Sequence, residues 1–239
     1  MKCGTTALHD SLDAHPQIAM SRPKELNFFF GDVGREGLEA HHDDAAQWAL
    51  GNWHRGLGWY ARHFPRKAVL CGESSPGYTS PSHPSVAARM ARLIPEARLI
   101  YMVRDPLERA VSQYLHHRAD GTEPRPLDEA LVDRGSQYVA RSRYYKRLGP
   151  FLERFHRDQI TIVSQEELVH RPSAVMRAIY AFVGVDESFG RQRPRRGSTP
   201  QRHMRLVSRP LRHRFIELLQ DDADRLRALA GRDFAGWSM

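Results

Sequence analysis

Lysine, glycine and two threonines stand at the start of the chain, in the order K-C-G-T-T over residues 2–6. A loop that leads into a helix points several backbone N–H groups at one place, where the helix dipole also favours an anion. Gly4 lets the backbone approach closely, and the hydroxyls of Thr5 and Thr6 can donate to phosphate oxygens. Lys2 adds a full charge. The pattern predicts an anion-binding loop, with a plain helix cap as the alternative.

A second polar group follows the clearest apolar run of the sequence. ARLIYMV (97–103) predicts a buried strand that ends at Arg104, and Asp105 and Pro106 then predict a sharp helix start. Ser112 lies two turns into that helix. A guanidinium fork and a hydroxyl on one side of this strand and helix could hold a second phosphate. The alternative is an arginine at a sheet edge and a solvated serine.

Apolar stretches of two kinds must position these groups. Short runs at 68–74 and 160–163 predict further buried strands, and Thr5 or Thr6 is expected to cap a first helix. Helical periodicity marks residues 86–94 and 175–183, and a last long helix ends at Gly231. Strands that alternate with amphipathic helices predict an α/β fold with a mainly parallel sheet, in one domain.

Charge and cysteine content restrict the class of protein. The 239 residues carry a formal net charge of +8. Nine arginines and no acidic residue lie from Arg191 to Arg214, so the rest of the chain has a net charge of −1. The basicity is therefore local. Cys3 and Cys71 are too few for a disulfide framework or a zinc cluster, and Cys71 is expected in the core. No apolar run approaches the ~20 residues of a membrane span, and we expect a cytoplasmic protein.

The two polar groups together resemble the sulfotransferases that use 3′-phosphoadenylyl sulfate (PAPS) as donor. K-C-G-T-T is similar to their 5′-phosphosulfate loop, and VRDPLERAVSQY (103–114) resembles their 3′-phosphate motif, R-x-P-x-x-R-x-x-S-x-Y. Segments 15–29, 59–65, 72–78 and 231–237 resemble parts of the bacterial and glycan-modifying members. The resemblance implies a P-loop-NTPase-like three-layer sandwich around a central, mainly parallel sheet.

The resemblance also implies which residues hold PAPS. The expected cofactor-binding residues are Lys2, Cys3, Gly4, Thr5, Thr6, Ala7, Arg104, Ser112, Arg195, Arg196 and Gly197. Lys2 would also stabilise the bridging oxygen as the S–O bond breaks. The arginine-rich residues 195–197 match a loop that closes over the 3′-phosphate, and a solvated basic face or a surface for an acidic acceptor are the alternatives. No metal ion is implied.

Acceptor chemistry needs a base. Glu25, in the KELNFF stretch, matches the position of the general base in glycan-modifying members. Lys24 beside it would hold an acidic acceptor or the sulfuryl oxygens, and His83 is the reserve base. A solvated Lys24–Glu25 pair is the alternative. The acceptor is a hydroxyl or amine on a sugar, lipid or small metabolite, and neither its identity nor the oligomeric state can be predicted from the sequence.

In this family a central β-strand runs directly into the K-x-G-T-T loop, and the 239 residues contain no counterpart ahead of Lys2. We expect a single sulfotransferase domain over residues 1–239 that is truncated at the phosphosulfate loop. The alternative is a divergent sheet that lacks one strand and leaves its neighbours with unpaired backbone groups.

Two rival functions stay open at this stage. A P-loop kinase or NTPase would use Asp105 for magnesium, but the G-K-[ST] order is missing and Pro106 makes Asp105 resemble a helix cap. A nucleic-acid-binding protein would use the nine arginines, with salt-sensitive affinity. No recognition motif accompanies them, so we expect no nucleic-acid partner.

Overall fold

The structure is a computed structural model, and it describes residues 2–31, 51–65, 68–191 and 204–239. Within these residues the four strands are β1 (Ile18–Met20), β2 (Leu70–Gly72), β3 (Leu99–Val103) and β4 (Ile160–Ser164). The ten α-helices there are α1 (Thr5–Asp13), α2 (Gly56–Ala61), α3 (Val86–Leu93), α4 (Pro106–Ala119), α5 (Leu127–Val132), α6 (Gln137–Ser142), α7 (Tyr144–Leu152), α8 (Gln165–His170), α9 (Pro172–Val183) and α10 (Arg209–Ala230).

All the strand pairs are parallel, as the alternation of strands and helices predicts. β1 pairs with β2, with Ile18 opposite Leu70, and β3 pairs with β4, with Leu99 opposite Ile160. The strands at 70–72, 99–103 and 160–164 confirm the sequence prediction. β1 was not predicted, because three residues are too few to show a period of two.

The described strands form two separate two-stranded sheets instead of one central sheet. A cavity of about 1110 Å³ lies between them and is lined by residues of both β2 and β3. Cys71, on β2, is exposed, so its expected place in the core is wrong. Among the described strands β2 pairs only with β1, and all three of its residues line the cavity.

Local capping determines where the helices begin. Asp105 is the N-cap of α4, its carboxylate accepts a hydrogen bond from the Glu108 N–H at 2.9 Å, and Pro106 is the first helical residue. This confirms the predicted helix start. The expected threonine cap of α1 is wrong: the N-cap is Gly4, in the left-handed conformation at φ 82°, and no side chain caps the helix.

An aromatic cluster supports the loop that carries Lys24 and Glu25. Phe28, Phe29 and Phe30 are buried behind this loop, and Tyr60 stacks on Phe28 with ring centroids 4.4 Å apart. A second core packs α4, α5, α6 and α10 together. No helix in the described ranges is long and apolar enough to cross a membrane.

Candidate functional site

The N-terminal loop lies at the carboxyl ends of β3 and β4. Arg104, which follows β3, donates from Nη1 to the Lys2 carbonyl oxygen at 3.3 Å. Gln165, which follows β4, packs so closely on Gly4 that a Cβ atom there would lie 3.2 Å from the Gln165 Nε2 atom. The structure therefore brings together the two polar groups that the sequence separates by about a hundred residues.

Gly4 gives this loop its shape. Its φ of 82° is in the region that favours glycine, and α1 begins at the next residue. The first N–H groups of a helix have no acceptor within the helix, so those of Thr5, Thr6 and Ala7 are available to an anion. The Thr6 side chain is exposed and that of Thr5 is half-buried. These are the features of an anion-binding loop.

Tyr144 fixes the loop to the end of β3. Its hydroxyl donates to the Arg104 carbonyl oxygen at 2.9 Å and accepts from the Arg104 N–H at 3.3 Å. The same hydroxyl lies 3.6 Å from the Cys3 sulfur, which is buried. Cys3 therefore offers only its backbone to a ligand. Neither Tyr144 nor Gln165 was predicted from the sequence, because neither belongs to a motif beside the loop.

The Arg104 guanidinium is buried and oriented by an acid. Its Nη2 atom lies 3.2 Å from the Glu108 Oε2 atom, in a pair whose side chains are 6% and 10% exposed. Ser112 is half-buried one turn further along α4, and residues four apart lie on the same face of a helix. Glu108 and Ser112 thus lie on one face of α4, in line with Arg104, which precedes the helix.

Lys2 is half-buried in a left-handed backbone conformation, at φ 63°. Burial lowers the pKa of the Lys2 amine, and the negative charge of Asp120, just beyond the end of α4, opposes this effect.

Lys24 and Glu25 form an ion pair, with the Lys24 Nζ atom 2.5 Å from the Glu25 Oε1 atom. Glu25 has a φ of 64°, which is unusual for a residue with a side chain, and Asn27 has a φ of 46°. Ser75 holds the segment by accepting from the Asn27 N–H at 3.1 Å. Positive φ angles at residues other than glycine are strained, and they are found preferentially at functional sites, where the surrounding structure maintains them.

His9 connects α1 to the loop that follows β2. Its Nδ1 atom lies 3.1 Å from the Ser74 hydroxyl, and the residue is buried. Burial lowers the pKa of the His9 imidazole, and the charge of Lys24 lowers it further. Both effects favour the uncharged form of the imidazole, and the nearby carboxylates Asp10 and Asp13 oppose them. The reserve base that the sequence predicts is His83 and not His9.

Glu73, the residue after β2, carries a buried carboxyl group. Among the described residues neither of its oxygens has a hydrogen-bond partner of ordinary geometry. Burial raises the pKa of Glu73 to about 7, against a smaller opposing effect of the Tyr78 hydroxyl. A titratable group thus lines the cavity between the two sheets.

Other predicted site residues lie elsewhere. His83 is buried and stacks on Phe30, with ring centroids 3.8 Å apart, and it does not line the cavity. Arg195, Arg196 and Gly197 lie outside the described residues. The described part of the chain contains no cluster of three side chains able to hold a metal ion. Independence of metal stays a prediction.

Asp105 is occupied by structural contacts. One carboxylate oxygen accepts from Glu108, and the other accepts from the Ser238 N–H. A Walker-type aspartate must reach a magnesium ion, whereas the Asp105 carboxylate caps the start of α4. The arrangement argues against the kinase or NTPase alternative.

Comparison with known proteins identifies the family. A model described as "Sulfotransferase family" matches residues 1–188 of the 239-residue chain, so the chain belongs to the sulfotransferase family. A sulfotransferase from Alicyclobacillus acidocaldarius has a similar structure, with a TM-score of 0.74 and 27% identity over 100% of this chain and 95% of that one. The fold is therefore the P-loop-NTPase-like α/β fold predicted from the sequence.

Curated relatives include enzymes that modify heparan sulfate. The chain is 30% identical over 194 residues to the mouse heparan sulfate glucosamine 3-O-sulfotransferase 3B1, which covers 77% of this chain and 44% of the relative. It is 25% identical to the Caenorhabditis elegans bifunctional heparan sulfate N-deacetylase/N-sulfotransferase 1, over 78% of this chain and 21% of the relative. The chain thus spans less than half the length of these relatives. A mouse sulfotransferase complexed with adenosine 3′,5′-bisphosphate (PAP) shares the fold, with 15% identity and a TM-score of 0.58.

Proposed function

We propose that the chain transfers a sulfuryl group from PAPS to a hydroxyl or amine of a glycan acceptor. The observation that carries the proposal is the contact between the Arg104 guanidinium and the Lys2 carbonyl oxygen, because it joins the loop at the start of α1 to the face of α4 that ends at Ser112. A nucleotide with a phosphate at each end matches two cationic sites held at a fixed separation.

The residues at the site fit such a donor. The open N–H groups at the start of α1, with Thr5 and Thr6, would hold the 5′-phosphate, and Arg104 and Ser112 would hold the 3′-phosphate. When bound, PAPS would supply an electrophilic sulfur and a phosphate leaving group. Lys2 would neutralise charge that develops on the bridging oxygen, and its backbone conformation keeps it beside the loop.

Glu25 is the base in this proposal. The acceptor oxygen or nitrogen would bond to sulfur while the sulfur bond to the bridging phosphate oxygen breaks, and the acceptor proton would pass to the Glu25 carboxylate. Lys24 holds this carboxylate in place through their ion pair.

The acceptor class rests on the relatives and on charge. Two relatives are named for heparan sulfate, an acidic glycan. Near the Lys24–Glu25 pair the described residues add the exposed cation Arg22, which pairs with Asp13 at 2.9 Å. Such cations suit a substrate with negative groups. A cytoplasmic setting stays a prediction.

Transfer of radiolabelled sulfuryl from PAPS to a panel of acceptors tests the proposal. Heparan-type glycans, both N-acetylated and N-deacetylated, would be compared with neutral sugars and phenols. We expect label in the acidic glycans, with loss of label in Lys2→Ala and retention in Arg154→Ala, an exposed control just after α7. Label found only in the phenols would overturn the acceptor class. If the chain binds adenosine 3′,5′-bisphosphate but labels none of the acceptors, the proposed transfer is overturned.

A further inference from the structure

A hydrogen bond between two side chains joins α1 to the loop that follows β2. The His9 Nδ1 atom lies 3.1 Å from the Ser74 Oγ atom, and the histidine is 6% exposed. Within the described residues this is the single hydrogen bond of either side chain. Ser74 is half-buried and lines the cavity between the two sheets. The buried histidine therefore holds a serine at the cavity wall.

His9 lies on the face of α1 that begins at the predicted anion-binding loop. Thr5, His9 and Asp13 are spaced four residues apart and share one face of the helix. Thr5, at the amino end, belongs to the loop that would hold the 5′-phosphate of the donor. Asp13, at the carboxyl end, pairs at 2.9 Å with Arg22, in the segment that leads to the proposed base. The imidazole is thus one helical turn from the donor loop.

Ser74 is also held beside the segment that carries the base. Ser75, the next residue of the chain, accepts a hydrogen bond from the Asn27 N–H at 3.1 Å. Asn27 is two residues after Glu25, and both have a left-handed backbone. Ser74 therefore lies where three elements meet: α1, the loop after β2, and the segment of the proposed base. Donor and acceptor must meet between the same elements.

The Ser74 hydroxyl has hydrogen-bonding capacity left for a ligand. A hydroxyl has one donor and two acceptor positions, so the bond to His9 leaves others open in either tautomer of the imidazole. A protein group that bonds to a substrate hydroxyl discriminates strongly, because an analogue without that hydroxyl leaves the group unpaired.

We propose that Ser74 and His9 form a subsite for an uncharged hydroxyl of the acceptor, next to the group that receives the sulfuryl. Ser74 contacts the acceptor, and His9 is a positioning residue that acts through Ser74. The inference rests on the proposed function, because it names a part of the acceptor site of that reaction. It adds a neutral contact to the charged ones of Lys24 and Arg22.

Binding of a heparan-type tetrasaccharide to the chain saturated with PAP tests the subsite, since calorimetry of this complex needs no transfer. Ser74→Ala is compared with Ser82→Ala, an exposed serine of the same loop that does not line the cavity. His9→Asn is compared with His9→Gln. The asparagine amide atoms are attached to Cγ, as Nδ1 is, whereas those of glutamine lie one bond further out. Only asparagine can therefore replace the bond to Ser74.

We expect Ser74→Ala and His9→Gln to lower tetrasaccharide affinity by about tenfold, and Ser82→Ala and His9→Asn to keep it. PAP affinity and melting temperature should be unchanged in all four variants. Unchanged tetrasaccharide affinity in Ser74→Ala would overturn the subsite, and equal losses in the two His9 variants would overturn the positioning role. A parallel fall in PAP affinity and melting temperature would show a structural role and overturn both.

Failure of the proposed function has a different signature. If the unmodified chain with PAP bound does not bind the tetrasaccharide, the proposed acceptor class is overturned, and the subsite with it. If the unmodified chain binds the tetrasaccharide and Ser74→Ala binds it equally well, the subsite alone is overturned.

Discussion

The Arg104 Nη1 atom donates to the Lys2 carbonyl oxygen at 3.3 Å across 102 positions of sequence. Tyr144 strengthens this junction through its bonds to the Arg104 backbone and its contact with Cys3. The 5′ and 3′ ends of a donor nucleotide would therefore be recognised by groups that are held as one unit. Substitutions at this junction are expected to affect donor binding before they affect the rest of the fold.

Gly4→Ala is expected to weaken binding of adenosine 3′,5′-bisphosphate (PAP) more than tenfold. A side chain at φ 82° costs about 1–2 kcal/mol, and the new Cβ atom would press on Gln165 at 3.2 Å and move the loop. Calorimetric titration and chemical denaturation measure the two effects. Gly231→Ala is the control, because its φ is 65° but the space around it is open, so it should lose stability and keep PAP binding. Equal PAP affinity in both variants would contradict this account of the loop.

Glu25→Gln should lower the rate of transfer by about 10²–10⁴-fold and leave PAP affinity unchanged, because it removes a base and not a donor contact. Stability should change little, since the Lys24–Glu25 pair is partly exposed. Single-turnover transfer and PAP titration separate the two roles. Glu153→Gln, in an exposed pair with Arg154, is the matched control. A His83→Gln variant that loses transfer with normal stability, beside an active Glu25→Gln, would reverse the assignment.

Glu73 should make stability depend on pH in an unusual direction. Its pKa in the folded chain is raised to about 7, so the folded state binds more protons than the unfolded state between about pH 4.5 and 7. Its contribution is present below the unfolded pKa and is lost as the pH rises through about 7. The loss is at most about 3 kcal/mol at 1.36 kcal/mol per pKa unit.

Urea denaturation from pH 4.5 to 8 measures this dependence. Glu73→Gln should flatten the decline across that range, with Glu153→Gln again as the exposed control. A decline that persists unchanged in Glu73→Gln would show that another group carries it.

Sequence patterns predicted those features that depend on neighbours in the chain. The Asp105-Pro106 helix start and the strand within residues 97–103 follow from local chemistry, and the structure confirms both. Anion binding by the loop at 2–6 stays a prediction. The threonine cap failed because the left-handed Gly4 already provides the turn into α1. A glycine in that position removes the need for a side-chain cap.

Contacts between distant residues could not be predicted. Tyr144 and Gln165 support the site through hydrogen bonds and packing contacts, and no motif marks either residue. Cys71 was expected in the core because the residues around it, 68–74, are apolar. In the structure Cys71 is exposed and lines the cavity. Burial of a strand depends on its neighbours, which the local sequence does not specify.

Calorimetric titration with PAP, with and without magnesium and with ATP as control, tests the central claim most directly. We expect tight binding that does not depend on magnesium, and a loss of more than tenfold in Arg104→Ala and in Ser112→Ala. Arg154→Ala should bind as the unmodified chain does. Binding of ATP that requires magnesium, or PAP affinity that is unchanged in both the Arg104 and the Ser112 variants, would contradict the assignment of this junction as the donor site.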